Sequence, residues 1–351
     1  MNKYFENLEE PIKKYFDILS PEKPDFLEEY INTPEMKKQA GISVSCGTCY
    51  SKLFPEITLW YSSLDHSVAV ALIIWNFTKD KKQTLAGLFH DIATPAFKHV
   101  IDFLNGDYEK QESTEELTTK IISESKEIMN LLNRDRIKIE EINDYHKYPI
   151  ADNDTPMLSS DRLEYTLSNV FGVRIKLWNL DEVKEIYENI EIQKNEKEIE
   201  ELGFKDKEIA EKFVKNMSVL SKSYMDSKTK LSMQFLAEIV KEMYKQNLIS
   251  KNDLYNLSEK EIMKKIENCK YNDVAQKFNE WRNTEKVYES DSVVENKYCK
   301  EIKTKIRYIN PLIRYENNYI RINQISKKAK EDINSCLNFK TKKYAYFDFE
   351  F

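Results

Sequence analysis

The chain has 351 residues, carries 54 Lys and Arg against 60 Asp and Glu for a net charge of −6, and contains only 6 glycines and 9 prolines. So few turn formers exclude a sandwich or barrel of many short strands and favour helices joined by short loops. The acidic balance leaves no global basic footprint, so nucleic-acid binding is not favoured, while a hydrophobic content of 41% suits a soluble globular chain with a real core.

The N-terminus is amphipathic and acidic, without the basic start and apolar run of a signal peptide. Residues 4–31 read as short helices punctuated by Pro11, Pro21 and Pro24. Residues 41–58, with Gly41, Gly47 and Pro55, read as a loop. Cys46 and Cys49 in that loop form a CxxC with no second pair at a useful distance, which favours free thiols; five cysteines in all fit a reducing compartment. From His66, the apolar residues Ala69, Val70, Ile73, Ile74 and Phe77 mark one helix face. The run Val68 to Phe77 is too short to cross a bilayer, so the expectation is a cytoplasmic protein with no membrane association.

Leu85, Leu88, Phe89 and Ile92 continue the helical pattern until Pro95, placing His90 and Asp91 near a helix C-terminus. Leu117 to Leu132 predicts a further helix. Ser159 and Ser160 are N-cap candidates for the helix that carries Asp161, Leu163, Leu167 and Val170 and ends at Gly172. The second half reads as helical to about residue 285, with segments 205–225, 229–248, 258–268 and 272–283. A hairpin over 303–323, turning at Glu316 to Asn318, and a strand from Tyr344 follow. The expected fold is mainly α: a helical core over 1–185 and a helical extension over 186–351 that ends in a small C-terminal β element.

The chain has four histidines, His66, His90, His99 and His146, within about a quarter of its length. His66 opens one helix, His90–Asp91 closes the next, and Asp161 opens a later one. Three helices can thus aim four ligands at one centre. Mixed imidazole and carboxylate donors suit a divalent metal (Mn, Mg, Fe, Co, Ni or Zn) that keeps open positions for water and substrate.

Three segments carry a resemblance: Ser63-Leu-Asp-His66, His90-Asp-Ile-Ala-Thr-Pro-Ala-Phe-Lys-His99-Val-Ile-Asp102, and Asp161-Arg-Leu-Glu-Tyr165. Together they resemble the HD superfamily of metal-dependent phosphohydrolases, and most of all its deoxynucleoside triphosphate triphosphohydrolase branch. Gln39-Ala-Gly41 and Tyr308-Ile-Asn-Pro-Leu extend the likeness outward. The resemblance implies an HD-type helical core and one divalent ion held by His66, His90, Asp91 and Asp161. It implies His99 and Asp102 as a catalytic pair, with Asp102 fixing the His99 tautomer. Gln39, Tyr165, Asn169 and Arg162 fall at or beside substrate positions, and the branch often forms homo-oligomers.

The match has gaps. Ser63 stands where the branch usually places a phosphate-gripping Arg, Thr94 where some members have His, and Asn169 where many have Asp. Lys98, Lys110 and Arg162 are the candidates to replace the lost arginine. His146 is left over, and its distance from the metal decides between one ion and two. The expected activity is hydrolysis of a deoxynucleoside triphosphate to deoxynucleoside and triphosphate. The alternatives are an HD-type nucleotidase or phosphodiesterase, or a non-catalytic nucleotide sensor that retains the metal.

Overall fold

The computed structural model describes residues 3–101, 117–269 and 272–349. Helices α1 (Glu10–Leu19), α2 (Asp25–Ile31) and α3 (Pro34–Lys38) lead into the 41–58 loop, which holds one 3-10 turn, Thr48–Tyr50. The central pair follows: α4 (Ser63–Thr78) and α5 (Lys81–Phe89). A capping box starts α4, in which the Ser62 hydroxyl accepts the Asp65 N–H and the Asp65 carboxylate accepts the Ser62 N–H. All residues from Ser63 to Ile74 are buried, so α4 is the axis of the core. Its contact with α5 depends on Gly87, where a Cβ would lie 2.3 Å from Ile74 Cδ1.

The predicted helix over 117–132 is two, α6 (Thr118–Glu124) and α7 (Lys126–Asp135). Ser125 leaves the first, and its hydroxyl caps the second by accepting the Ile128 N–H at 3.2 Å. Ser159 caps α8 (Ser160–Ser168) through the Arg162 N–H at 3.2 Å, and a π turn, Asn169–Val173, extends that helix. Helix α9 (Leu180–Glu188) closes this part.

The β structure is larger than the expected C-terminal element and begins near residue 190. Strands β1 (Ile190–Lys194) and β2 (Glu200–Phe204) pair antiparallel. Their Lys- and Glu-rich connection hides them in a sequence read for helices. After α10 (Lys207–Met225), α11 (Ser227–Lys245), α12 (Lys251–Asn256), α13 (Glu259–Glu267) and α14 (Asn272–Asn283) come the short strands β3 (Tyr288–Ser290) and β4 (Tyr298–Glu301). The expected hairpin is β5 (Leu312–Tyr315) with β6 (Asn318–Arg321), and β5 joins β2 in parallel to give the sheet order β1-β2-β5-β6. After α15 (Ile322–Ile325) and α16 (Lys327–Leu337), the last strand β7 (Tyr344–Phe347) lies between β3 and β4.

Both main hydrophobic clusters draw on residues from both sides of position 185. One joins α1–α5 and α8 to α10, β2 and β5; the other joins Phe54, Phe97 and Val100 to α11–α14 and Phe347. A buried ion network ties the C-terminal hairpin to the approach of α8. Arg321 donates to both oxygens of Glu201, at 2.6 and 2.9 Å, and Glu201 accepts the Leu158 N–H at 3.1 Å. The Asn310 N–H bonds Pro156 O at 2.9 Å, so the chain just before β5 passes beside α8. Among the described residues, no helix is long and apolar enough to cross a membrane.

Gly87→Val inserts a branched side chain where α4 already fills the space. It is expected to cost about 1–3 kcal/mol of stability, read by denaturant unfolding.

Candidate metal centre and its cleft

His66 projects from the first turn of α4, His90 from the residue after α5, and Asp161 from the first turn of α8. Their ligand atoms all lie within 4.8 Å of one another. The two Nε2 atoms face each other at 3.2 Å, and Asp161 Oδ1 is 3.1 Å from His66 Nε2 and 3.8 Å from His90 Nε2. Asp91 Oδ1 is 3.9 Å from His90 Nε2, which brings the fourth expected ligand to the rim of the same centre. Asp91 Oδ2 accepts the Lys98 ammonium and lies 3.4 Å from the Ser63 hydroxyl.

The outer ring nitrogens decide what the inner ones can do. His90 Nδ1 bonds Gly87 O at 2.7 Å, and His66 Nδ1 bonds the Glu164 carboxylate. Oxygens that only accept hold the proton on each Nδ1, so both Nε2 atoms face the shared centre. Two ring nitrogens 3.2 Å apart beside carboxylates call for positive charge, from a proton on His66 or from a cation that replaces it. Bonds of about 2.1 Å would put neighbouring ligand atoms about 3.0–3.4 Å apart, and the closest observed separations fall there. The donor set fits a divalent ion.

Glu164 was not singled out in the sequence, although it sits three residues after Asp161 on the same helix face. It is fully buried and also accepts from Tyr61 Oη at 2.6 Å and Tyr15 Oη at 3.3 Å. Burial alone would lower the His66 pKa, but the Glu164 and Asp161 carboxylates hold it at about 10. Burial likewise works against ionisation of Asp91 and Asp161. Lys98 with the two imidazoles holds the Asp91 carboxyl well below the usual range, and His66 does the same for Asp161.

The centre opens into a cleft of about 480 Å³. Tyr165, Asn169 and Arg162 all line it, as does His99. Asn169 Nδ2 donates to Tyr165 O at 2.8 Å, and Arg162 reaches Asn153 Oδ1 at 2.6 Å and Asp152 at 3.1 Å. Gln39 stands apart. It is fully buried, donates to Ile92 O at 2.6 Å, and is not among the lining residues. Asp102 and Lys110 lie outside the described residues. Cys46 and Cys49 are free thiols, and Cys46 lines the cleft.

His146 shares the cleft but stands one aromatic ring away from the centre. The Tyr145 ring is 4.9 Å from His90 and 4.5 Å from His146, whose nitrogens face Asp144 at 3.0 Å and Asp152 at 3.4 Å. The donor cluster comprises His66, His90 and Asp161, not His146.

The turn that delivers Lys98 and His99 is held from the second half of the chain. Phe97 and Lys98 take successive left-handed conformations, with φ of 64° and 46°. The Ala96 N–H bonds Leu254 O at 2.8 Å, and the Phe97 N–H bonds Glu259 Oε1 at 3.1 Å. Glu259 is fully buried, and that burial raises its pKa to about 8 against the field of Lys98. Lys38, which donates to Thr94 O at 2.8 Å, flanks the same turn.

The comparisons with known proteins agree with this geometry. Residues 63–167 match the family model of the HD domain, with His66 near the start of the matched segment and Asp161 near its end. Along most of its length the chain is similar to YdhJ, an uncharacterized protein of Bacillus subtilis (strain 168), with 25% identity over 311 residues covering 87% of this chain and 89% of that one. Two solved structures share the fold. A hypothetical protein from Aquifex aeolicus has a TM-score of 0.64 at 16% identity, covering 93% of each chain. A phosphohydrolase from Bacteroides thetaiotaomicron VPI-5482 has a TM-score of 0.62 at 13% identity, covering 93% of this chain and 96% of that one.

Two outcomes follow. Glu164→Gln is expected to weaken divalent-metal binding about 10- to 100-fold, read by titrating metal-free protein. Glu259→Gln tests the turn. A carboxyl of pKa 4.5 when unfolded and about 8 when folded stabilises the fold below 4.5, and that contribution is lost as pH rises to about 8. Wild-type Tm is therefore expected to fall relative to the Gln variant over that window, with Lys38, Lys98, Tyr50, Cys46 and Cys49 as other titrating groups that act on the site.

Proposed function

We propose that this protein is a metal-dependent phosphohydrolase acting on nucleotides, with a deoxynucleoside triphosphate as substrate. The observation that carries the reading is the imidazole–carboxylate centre, whose two Nε2 atoms face one point at the edge of a nucleotide-sized cleft. The HD domain match and the shared fold with a phosphohydrolase support it. His66, His90, Asp91 and Asp161 would hold one divalent ion. Such an ion supplies charge neutralisation at the phosphoryl oxygens and lowers the pKa of coordinated water.

The chain's own residues then divide the work. His99 orients the attacking water and takes its proton. Asp102 is the proposed orienting partner of His99. Tyr165 and Asn169, one helical turn apart on the cleft wall, contact the sugar. Burial holds the Tyr165 hydroxyl up at about 12, so it stays protonated and can donate a hydrogen bond. The water oxygen bonds to the α-phosphorus, the bond to the 5′ oxygen breaks, and that oxygen takes up a proton. The products are deoxynucleoside and triphosphate.

The expected result is loss of deoxynucleoside triphosphate that requires a divalent ion and yields nucleoside without monophosphate. His66→Ala and Asp161→Ala should each reduce the rate by at least about 1000-fold, followed by chromatography of the products. Monophosphate and pyrophosphate as products would refute the triphosphohydrolase reading and leave the hydrolase class standing. No turnover with any nucleotide and metal would refute both.

A further inference from the structure

An alkoxide is a poor leaving group, so breaking the bond between the α-phosphorus and the 5′ oxygen calls for a proton donor at that oxygen. In an in-line displacement the leaving oxygen lies beyond phosphorus from the attacking water. Its donor therefore stands back from the centre, by roughly 3–3.5 Å from water to phosphorus, then one bond, then a hydrogen bond of about 2.6–3.2 Å. His99 takes the water's proton in the proposed reaction, so the donor is a different group.

His146 stands at that remove. It lines the cleft, half-exposed, with the Tyr145 ring between it and His90, 4.5 Å from the one ring and 4.9 Å from the other. Its place is set by the 3-10 turn Tyr145–Lys147. Asp144 caps that turn, and its Oδ1 accepts both the His146 backbone N–H and the His146 Nδ1–H, each at 3.0 Å. Lys147 clamps the turn, donating to Glu140 O at 2.8 Å and to Asn143 Oδ1 at 3.2 Å. The chain beyond it is tied to α8. The Ser160 N–H and hydroxyl both bond Ile150 O, at 2.9 and 2.7 Å, and the Asp161 N–H bonds Ala151 O at 3.3 Å. The ring is thus held in register with the helix that carries Asp161.

With its Nδ1 proton held by Asp144, His146 has Nε2 left for chemistry. Nε2 lies 3.4 Å from Asp152 Oδ2, near enough for charge attraction and too long to tie up a proton in a strong hydrogen bond. Asp152 is itself committed, its Oδ1 accepting from Ser159 Oγ at 2.9 Å and meeting Arg162 at 3.1 Å. The doubly protonated ring therefore has a carboxylate at each nitrogen and one proton that can be given up.

We propose that His146 is the general acid of the hydrolysis, giving its Nε2 proton to the 5′ oxygen as the bond to phosphorus breaks, with Asp144 as the positioning residue that holds the ring. The bonding pair leaves with the oxygen and takes up that proton, which gives the 5′-hydroxyl of the deoxynucleoside. The neutral ring then regains a proton from solvent. The assignment rests on the triphosphohydrolase reading for the bond that breaks.

A deoxynucleoside triphosphate with sulfur in place of the bridging 5′ oxygen is the probe, because a thiolate leaves without protonation. Full-length protein with saturating divalent metal is assayed on the sulfur and the oxygen substrates. His146→Gln is expected to lower kcat about 100-fold or more on the oxygen substrate, with KM little changed, and to stay within a few-fold of wild type on the sulfur substrate. Asp144→Asn should show the same pattern with a smaller loss. Imidazole in solution should restore part of the oxygen-substrate rate to His146→Ala. Circular dichroism establishes that each variant is folded. An equal loss on both substrates, or no loss on the oxygen substrate, would overturn the general-acid role and leave the hydrolase reading in place. Wild-type protein that turns over neither substrate, or that releases monophosphate from the oxygen substrate, would overturn the triphosphohydrolase reading and this role with it.

Discussion

Two buried imidazoles aimed at each other through their Nε2 atoms, at the edge of a cleft, are the constraint on which the rest of this structure depends. The arrangement persists because the outer nitrogens are committed elsewhere, His90 to Gly87 O and His66 to Glu164. Gly87 serves twice: its carbonyl sets the His90 tautomer, and its missing Cβ lets α5 close on α4. Glu164 in turn needs Tyr15 on α1 and Tyr61 before α4, so the N-terminal helices are part of the metal centre's support. Second contacts of this kind fix the ligands before any ion arrives, which reduces the ordering cost of binding.

The second half is more than an appendage to this centre. The turn that carries Lys98 and His99 has two consecutive non-glycine residues in left-handed conformations, each disfavoured by sterics. Hydrogen bonds from the Ala96 and Phe97 N–H groups to Leu254 O and Glu259 hold that turn in place, and Phe97 packs into the cluster built by α11–α14. A separate ion network of Arg321 and Glu201 anchors the hairpin beside the start of α8, which carries the segment with Lys305 and Arg307 to the cleft. Both walls of the cleft are thus set by contacts between segments far apart in sequence.

This explains what could be read from the sequence. The helices and the histidine–carboxylate centre are local: apolar periodicity, caps and the adjacency of His90 and Asp91 announce them, and the side chains of His66, His90 and Asp161 lie together. Glu164 was within reach, because it shares a helix face with Asp161, but a lone Glu on an amphipathic helix has the same signature as a solvated one. Strands β1 and β2 escaped because each is five residues long, and the pairing of β2 with β5 spans more than a hundred residues.

Charge bookkeeping at the centre links the sequence change at Ser63 to the chemistry. The small, neutral Ser63 leaves space beside Asp91, and the Lys98 ammonium fills it, bonding the Asp91 carboxylate and approaching the Ser63 hydroxyl at 3.4 Å. Asp91, Asp161 and Glu164 contribute three negative charges, and Lys98 returns one. The remainder is −2, the charge that a divalent ion neutralises when both histidines are neutral ligands. Without the ion, the proton held on His66 meets only half of it. A large arginine at position 63 would compete with Lys98 for Asp91 and upset that balance.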